Sequence, residues 1–296
     1  MLATPGGCVD GPVRTRPPSP VERLWRLEPV GPRRYEGWCH QGAPGRVYGG
    51  QVVAQALAAA YADAAVDWWP ESLHAYFVRE GRSSGPIEYE VDGEDDPDDP
   101  VRFRRVAAMQ GFEPVLILET CFTDRTGEGA LPEAQQSLDP GDDLAGWLPA
   151  DPDDASWLEE RSSRNRMQLR FMTEPSFLTA RKGETSPGQA FWLRTGEPLA
   201  DEVRHHACAF AYASDLMLVS TALAAHGLGH REGISAASID HGVWFHQPFR
   251  ADAWIRIEQA SPSSAGGRGL STAQVFDRSG QLVASIWQEV LLRIEG

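Results

Sequence analysis

The chain has 296 residues, of which 42% are hydrophobic and 23% are charged, a composition typical of a globular protein with a sizeable core. Its formal net charge of −15 at pH 7 argues against nucleic acid as a partner, because binding to a phosphate backbone needs a basic face. The same charge disfavours an anionic membrane surface. No apolar run approaches the roughly 18 residues that indicate a membrane-spanning helix.

Cysteine usage and the two ends of the chain indicate the compartment. The four cysteines are far apart and form no CxxC pair (Cys8, Cys39, Cys121 and Cys208). This pattern predicts neither a disulfide framework nor a zinc site, so we expect no metal and no cofactor. The first twenty residues lack the apolar segment of a secretory signal, and the final residues are not a peroxisomal tripeptide. We therefore expect a cytoplasmic protein.

The first half of the chain predicts a flexible tail followed by a folded unit. Residues 1–20 are rich in Pro and Gly and show no periodicity, which predicts the tail. Residues 21–124 form the first unit, with a strand at 34–38 and an almost uncharged helix over 51–65 that should be buried on most sides. Gly49 and Gly50 precede this helix and leave the N–H groups of its first turn unobstructed. Four further strands are predicted at Leu73–Val78, Ile87–Val91, Phe103–Gln110 and Pro114–Phe122.

The second half repeats this order after a linker. Residues 125–166 are polar and acidic, which predicts a linker with one short helix near Trp157. Residues 167–296 form the second unit, with a strand at 190–194 and an apolar helix over 207–225 that Gly227 ends. Its remaining strands are predicted at Ser235–Phe245, Trp254–Gln259, Gly269–Phe276 and Leu282–Leu292.

A shared spacing indicates that the two units arose by duplication. Phe77 ends an aromatic strand in the first unit, and Phe245 ends one in the second. The interval from Phe77 to Val115 equals the interval from Phe245 to Val283. Each unit is a strand, a buried helix and an antiparallel meander whose single apolar face needs the helix as a cover. The sequence therefore predicts an α+β protein built from two pseudo-symmetric units.

Asp215 is the first candidate for chemistry, because it interrupts the apolar helix of the second unit. A carboxylate in such surroundings costs several kcal/mol unless it is paired. One interpretation is an Asp that kinks or caps the helix. The other is a desolvated general base whose pKa is tuned by burial.

Two strands of the second unit carry further polar candidates. Strict alternation over 237–246 separates two sets of side chains: Ser238, Asp240, Gly242, Trp244 and His246 on one face, and Ile239, His241, Val243 and Phe245 on the other. His241 and His246 invite a catalytic assignment, although strand histidines are usually satisfied by hydrogen bonds to their neighbours. In the last strand Gln288 and Glu289 interrupt an apolar run, and one of them must face inward.

Six segments in order carry a resemblance to a known family. They are Val47–Leu57, Leu73–Arg79, Arg104–Gln110, Tyr212–Leu216, Ile239–His241 with Trp244–His246, and Val283–Ser285 with Gln288–Glu289. Together they resemble the type II acyl-CoA thioesterase family over nearly the whole chain, from about Val21 to Ile294. The resemblance implies a double hot-dog fold and an acyl-CoA substrate.

The resemblance also implies roles for individual residues. In that family an Asp, a Thr or Ser, and a Gln hold the hydrolytic water, which implies these roles for Asp215, Ser238 and Gln288. Ser238 then orients water and need not attack the substrate, since it has no His base at a motif spacing. Free N–H groups near Gly50 and Gln51 suit a thioester oxygen that gains negative charge. His74 is predicted either to line the pocket or to form a strand hydrogen bond.

One departure from the family leaves the carrier of the acyl group open. The sequence has an acidic turn over 94–100 where relatives have a short Arg-Asp-Gly turn, and this turn would repel CoA phosphates at a pocket mouth. Arg105 and its neighbours follow it and are candidates for contact with phosphate or pantetheine, or are solvated strand charges. An acyl-carrier-protein thioester is therefore an alternative substrate.

Two other functions remain open, and one assembly is expected. A hot-dog dehydratase would need an Asp/His pair on the helix, and His226 lies too far from Asp215 for one helix face. A non-catalytic acyl-CoA-binding module would gain nothing from a buried carboxylate. Because fusion satisfies the sheet edges and apolar backs only in part, we expect a homo-oligomer.

Overall fold

The computed structural model describes residues 19–64, 68–94, 99–124, 146–229 and 233–294. Most of the predicted tail, the centre of the acidic turn (95–98) and about half of the predicted linker (125–145) lie outside the described residues.

The first unit is an antiparallel set of strands around one helix. A short 3-10 turn over Glu22–Leu24 precedes it. Its elements are β1 (Glu28–Gly31), β2 (Arg34–Gly37), β3 (Gln41–Ala43), β4 (Arg46–Val47), α1 (Gly49–Asp63), β5 (Trp69–Phe77), β6 (Ile87–Asp92), β7 (Val101–Gln110) and β8 (Glu113–Thr123). Every helix and strand that was predicted for this half is present within a few residues of its expected bounds.

The second unit repeats the plan with two additional helices before its core. Its elements are α2 (Pro152–Asn165), β9 (Met167–Phe171), α3 (Ser176–Arg181), β10 (Gly188–Thr195), α4 (Val203–Ser214), α5 (Leu218–Ala224), β11 (Ile234–Ser238), β12 (Asp240–Phe245), β13 (Ile255–Ala265), β14 (Arg268–Phe276) and β15 (Leu282–Ile294). Helix α2 contains Trp157, as the linker sequence predicted. Strand β9 and helix α3 were not predicted.

Apart from the short β3–β4 pair, the strands of both units join in one antiparallel sheet. Its order is β1-β2-β6-β7-β8-β5-β12-β15-β14-β13-β10-β9, and β11 pairs with β15 beside β12. The units meet where β5 pairs with β12, with Ala75 opposite His241. This continuous sheet around paired central helices is the double hot-dog arrangement that the resemblance implied.

The duplication is visible in the strand register. Phe77 lies opposite Leu116 in the first unit, and Phe245 lies opposite Ala284 in the second. The step along the sequence from Phe77 to Phe245 equals the step from Leu116 to Ala284. The equal spacing in the sequence therefore arises because β5–β8 and β12–β15 share one register.

Helices α1 and α4 pack against each other inside the sheet and carry much of the core. Helix α1 also packs on β6, β7 and β8, and eleven of its fifteen residues are buried. Ala side chains allow the close approach, while Val53, Leu57 and Phe210 are fully buried. Burial of each such large side chain contributes about 1.5–3 kcal/mol, so these helices fix how the two units meet.

The segment Val203–Ala224 is long and apolar enough to cross a membrane by length and composition alone. This length differs from the prediction that no apolar run approaches about 18 residues. In the structure 89% of the most apolar stretch of this segment is buried inside the protein, as expected for a helical segment at the centre of a core.

Two predicted elements are interrupted. The single helix predicted over 207–225 ends at Ser214 and resumes at Leu218, with Met217 in the left-handed region at φ 69°. A residue other than glycine is strained there, so surrounding contacts must hold this turn. The strand predicted over 235–245 is also broken, at Ile239. Both interruptions lie at the candidate site.

Candidate active site

The site forms where the start of α1 meets the end of α4. A Cβ atom at Gly50 would lie 2.4 Å from the carbonyl oxygen of Tyr212, and one at Gly49 would lie 2.9 Å from Asp215 Oδ2. Only glycine allows this approach of the two backbones. The glycine pair therefore brings the N-terminal end of α1 directly to the Asp215 carboxylate.

Asp215 occupies the turn between α4 and α5 and is partly buried. The N–H of Gly50 donates to its Oδ2 at 2.8 Å, so the first turn of α1 fixes the carboxylate. Burial raises the pKa of Asp215 from 3.8 to about 7, against the opposing effect of hydrogen bonds from the Gln288 amide and the Gly50 N–H. A carboxylate with a pKa near neutrality is suited to accept a proton.

A β-bulge places Ser238 on the same side of the sheet as His241. Ser238 lies opposite Val290 of β15, whereas Gly242 lies opposite Trp287 of the same strand. The chain therefore advances by four residues from Ser238 to Gly242 while β15 advances by three, so one residue of the first segment has no partner on β15. The extra residue reverses the alternation, and the prediction that Ser238 and His241 lie on opposite faces is wrong. Ile239 and Asp240 hold the bulge through the backbone of Glu289, at 2.8 Å from Ile239 N to Glu289 O and 2.6 Å from Glu289 N to Asp240 Oδ1.

Gln288 links the other polar groups of the site. It is completely buried on the inner face of β15, and its Nε2 donates to Ser238 Oγ at 2.8 Å. The same amide donates a hydrogen bond that lowers the pKa of Asp215. Of the two polar residues in the last strand, Gln288 faces inward and Glu289 faces Arg268 on the surface.

His241 and Ser214 lie directly behind this amide. His241 Nδ1 is 2.6 Å from Gln288 Oε1, and its Nε2 is 2.7 Å from Ser214 Oγ. Burial lowers the pKa of His241 from 6.5 to about 4, so the imidazole is neutral at physiological pH. His246 bonds to Ser285 Oγ at 2.8 Å. Both strand histidines are thus hydrogen-bonded to neighbours, as the sequence favoured.

The structure brings four of the seven predicted site residues together: Asp215, Ser238, Gln288 and Gly50. Gln51 does not face them, because its side chain bonds to the backbone of His40, Leu24 and Trp38. The backbone N–H groups of Gly50 and Gln51 have protein partners, Asp215 and Tyr48 O respectively. In this geometry Gly50 orients the carboxylate, and neither N–H is free for a thioester oxygen.

The other two predicted residues lie on the outer face of the sheet. His74 is exposed there, opposite Gly242 and in edge-to-face contact with the Trp244 ring. Arg105 is exposed on the same face of β7, with Glu119 at 3.9 Å. Helices α1 and α4 and the buried Gln288 lie on the opposite face, because neighbouring strand residues alternate between faces.

Ser214 is a neighbour of the site that the sequence reading missed, and His241 was not connected with Gln288. The sequence did contain a signal for the burial of His241, since strand alternation places it on the apolar face with Val243 and Phe245. No sequence signal pointed to Ser214. Among the residues that the structure describes, no group of three or more His, Cys, Asp or Glu side chains is placed to hold a metal ion.

These features define a double hot-dog protein in which a carboxylate, a hydroxyl and an amide meet between the two units. Two family models match the chain, an acyl-CoA thioesterase N-terminal domain over residues 35–117 and an acyl-CoA thioesterase family over residues 161–291. Human acyl-coenzyme A thioesterase 8 is 30% identical over 292 residues, covering 93% of this chain and 89% of the relative.

Two further comparisons agree with these. Acyl-CoA thioesterase 2 of Haemophilus influenzae is 31% identical over 288 residues, covering 91% of this chain and 96% of the relative. The crystal structure of an acyl-CoA thioesterase II from Mycobacterium marinum matches with a TM-score of 0.73 at 31% identity, covering 93% of this chain and 98% of that one. The chain belongs to the type II acyl-CoA thioesterase family, as its motifs predicted.

Proposed function

We propose that this protein hydrolyses acyl-CoA thioesters to a free acid and CoA, with water activated by Asp215 and oriented by Ser238 and Gln288. The observation that carries the proposal is the Asp215 carboxylate, held at the start of α1 with a pKa of about 7 and hydrogen-bonded to Gln288. The Ser238 hydroxyl, 2.8 Å from the same amide, is the third polar group of this cluster. Membership of the family supplies the substrate class.

The proposed reaction needs only water and the thioester. Asp215 takes a proton from water as the water oxygen attacks the carbonyl carbon, and the C–S bond then breaks. Asp215 then returns this proton to the departing thiolate sulfur, so CoA leaves as the thiol, the carboxylate is regenerated and the product acid ionises in solvent. An amide and a hydroxyl that hold the water lower the entropic cost of this step.

The geometry favours hydrolysis over the two alternatives. His226 lies in the turn after α5, where it is exposed and bonds to Ser264 Oγ, so it forms no pair with Asp215. A binding module would gain no affinity from a carboxylate whose ionisation burial opposes. Thiol release measured with a series of acyl-CoAs separates the cases: a binder shows affinity without release, and a dehydratase changes only 3-hydroxyacyl substrates and releases no thiol.

We expect kcat/KM to depend on the ionisation of Asp215. Because the carboxylate must be deprotonated to act as a base, kcat/KM should fall about tenfold per pH unit below a pKa of about 7 and level off above it. His241, with a pKa near 4, should not contribute to this limb. Initial rates at limiting substrate across this range measure the profile. A flat profile down to the ordinary pKa of an Asp would contradict the assignment.

The preference for CoA over an acyl-carrier protein is part of the proposal. Arg104 is fully buried against Asp63 at 2.9 Å, and Arg102 lies over the Trp68 ring at 4.0 Å. Arg105 is exposed but lies on the face of the sheet opposite the site, so membership of the family, and not these arginines, supports CoA as the carrier. A comparison of kcat/KM for the same acyl group on CoA and on acyl-carrier protein tests the preference directly.

We also propose that the protein assembles through the outer face of its sheet. Tyr76 and Trp287 are 62% and 49% exposed there, beside His74 and Trp244. Exposed aromatic clusters of this kind are typical of protein interfaces. Trp287→Glu is expected to shift the particle towards a single 32.5 kDa chain in light scattering at micromolar concentration. Phe112→Glu, on a turn outside this cluster, should leave the mass unchanged. A wild-type protein that is already monomeric would refute the assembly.

A further inference from the structure

The orientation of the Gln288 amide decides whether the proposed site can work. Its Nε2 must face Asp215 and Ser238, because an amide oxygen turned towards the carboxylate would repel it. The two ends of an amide have nearly the same shape, so packing alone distinguishes them poorly. A hydrogen-bond donor placed at Oε1 is therefore needed to hold the productive orientation.

His241 Nδ1, at 2.6 Å, is the group placed at that oxygen. A neutral imidazole carries one N–H, and bonding to Gln288 Oε1 requires it on Nδ1. The other nitrogen, Nε2, is then an acceptor and needs a donor of its own. Ser214 Oγ lies 2.7 Å from it and supplies that donor.

The Ser214 hydroxyl has two hydrogen-bond acceptors within reach, and the acceptor to which it donates determines the tautomer of His241. Its oxygen is 2.9 Å from the carbonyl oxygen of Ala211 and 2.7 Å from His241 Nε2, but it has a single proton. Donation to Ala211 would leave Nε2 without a proton donor in a buried environment, which costs free energy. Donation to Nε2 satisfies the imidazole and fixes the Nδ1–H tautomer.

We propose that His241 is a positioning residue, held as its Nδ1–H tautomer by Ser214, that fixes the Gln288 amide with its nitrogen towards Asp215 and Ser238. The inference rests on the proposed function, in which Gln288 helps to hold the hydrolytic water. Ser214 immediately precedes Asp215, so the same helix end presents the base and fixes the tautomer. His241 itself contacts neither substrate nor water in this scheme.

A double-mutant cycle on kcat tests this role, with saturating acyl-CoA at about pH 8, where Asp215 is ionised. Gln288→Ala is expected to lower kcat more than about tenfold, and His241→Leu about tenfold, because each removes one buried hydrogen-bonding partner. The double variant should be no slower than Gln288→Ala alone, since the amide that His241 positions is then absent. The KM of His241→Leu should stay close to the wild-type value.

Two further variants separate positioning from a loss of packing. His241→Asn places a side-chain N–H near the position of Nδ1–H and is expected to recover most of the activity that His241→Leu loses. His246→Leu is the matched control, because His246 directly follows β12 and bonds to Ser285 outside the site; it should leave kcat near wild type. Should His241→Leu fail to fold, Ser214→Ala replaces it in the cycle, with a loss of several-fold expected when Gln288 is present and none when it is absent.

Each result has a definite meaning. The positioning role would be overturned if the fold-losses in kcat of the two single variants multiplied in the double variant. It would also be overturned if His241→Asn lowered kcat as much as His241→Leu does. Either result would leave the proposed function intact. A Gln288→Ala variant with wild-type kcat would instead remove Gln288 from the proposed function itself. The inference is supported if His241→Leu lowers kcat only when Gln288 is present and His241→Asn restores kcat.

Discussion

Asp215→Asn is expected to keep the fold and to lower kcat by about 10²- to 10⁴-fold, the range that general-base catalysis contributes. The amide is nearly the same size as the carboxylate, and its oxygen can still accept the Gly50 N–H bond that is 2.8 Å long in the wild type. It cannot take a proton from water. Steady-state thiol release measures the effect, and a folded variant with more than a tenth of wild-type kcat would refute the assignment of Asp215 as the base.

The stability of this variant provides its control. Burial raises the pKa of Asp215 from 3.8 in the unfolded chain to about 7, so between these values the folded state binds more protons than the unfolded state. The contribution of this group to stability is therefore fully present below its unfolded pKa and is lost as pH rises through about 7. Asp215→Asn lacks this dependence, so its unfolding free energy above neutral pH should equal or exceed that of the wild type.

An isotope measurement separates a base from a nucleophile at the same position. A single turnover in H₂¹⁸O places the label in the released acid if water attacks the thioester directly. If Asp215 attacked instead, water would hydrolyse an acyl-aspartate and could leave the label in the Asp215 carboxylate. Label recovered on the peptide that contains Asp215 would therefore contradict the water mechanism.

Ser238→Ala is expected to lower kcat by about 10- to 100-fold, because one hydrogen bond to the water and one to Gln288 are lost. Ser238→Thr should remain active, since threonine offers the same hydroxyl. Ser285→Ala, which removes a hydroxyl bonded to His246 outside the site, is the matched control and should behave like wild type.

The same residue can be tested for covalent catalysis. No histidine is hydrogen-bonded to Ser238 among the contacts of the described residues; its hydroxyl accepts from the Gln288 amide, which cannot remove a proton. Mass spectrometry of enzyme quenched during turnover should therefore show no acyl adduct on the Ser238 peptide. A burst of thiol release with such an adduct would replace the water mechanism with a serine nucleophile.

Local sequence was sufficient for the order of the elements. Alternating strands such as β6 and the uncharged helix α1 have their own periodicities, and the glycine pair marks the position where α1 begins. The equal spacing after the aromatic strand of each unit indicated the duplication, because both units keep the same strand register. Asp215 and Gln288 were conspicuous as polar residues in apolar segments. The cytoplasmic location stays a prediction.

What the sequence left open depends on contacts between distant residues. A one-residue bulge at Ile239 moved Ser238 to the face of His241, and no propensity within 235–245 marks where an antiparallel partner will skip a residue. The placement of His74 and Arg105 on the outer face likewise became evident only once the sheet had an inside and an outside. Strand alternation gives two faces but does not say which one the helices cover.

Periodicity, turn residues and motifs were enough to predict the two strand–helix–meander units, the family and the three polar residues that the proposed function uses. The way in which those residues meet depends on long-range contacts: Gly50 bonds to Asp215 across 165 positions, and the Gln288 amide bonds to Ser238 across 50. The pKa of Asp215 and the tautomer of His241 depend on the same packing. They are set by burial and by hydrogen-bond partners that become neighbours only when the two units fold together.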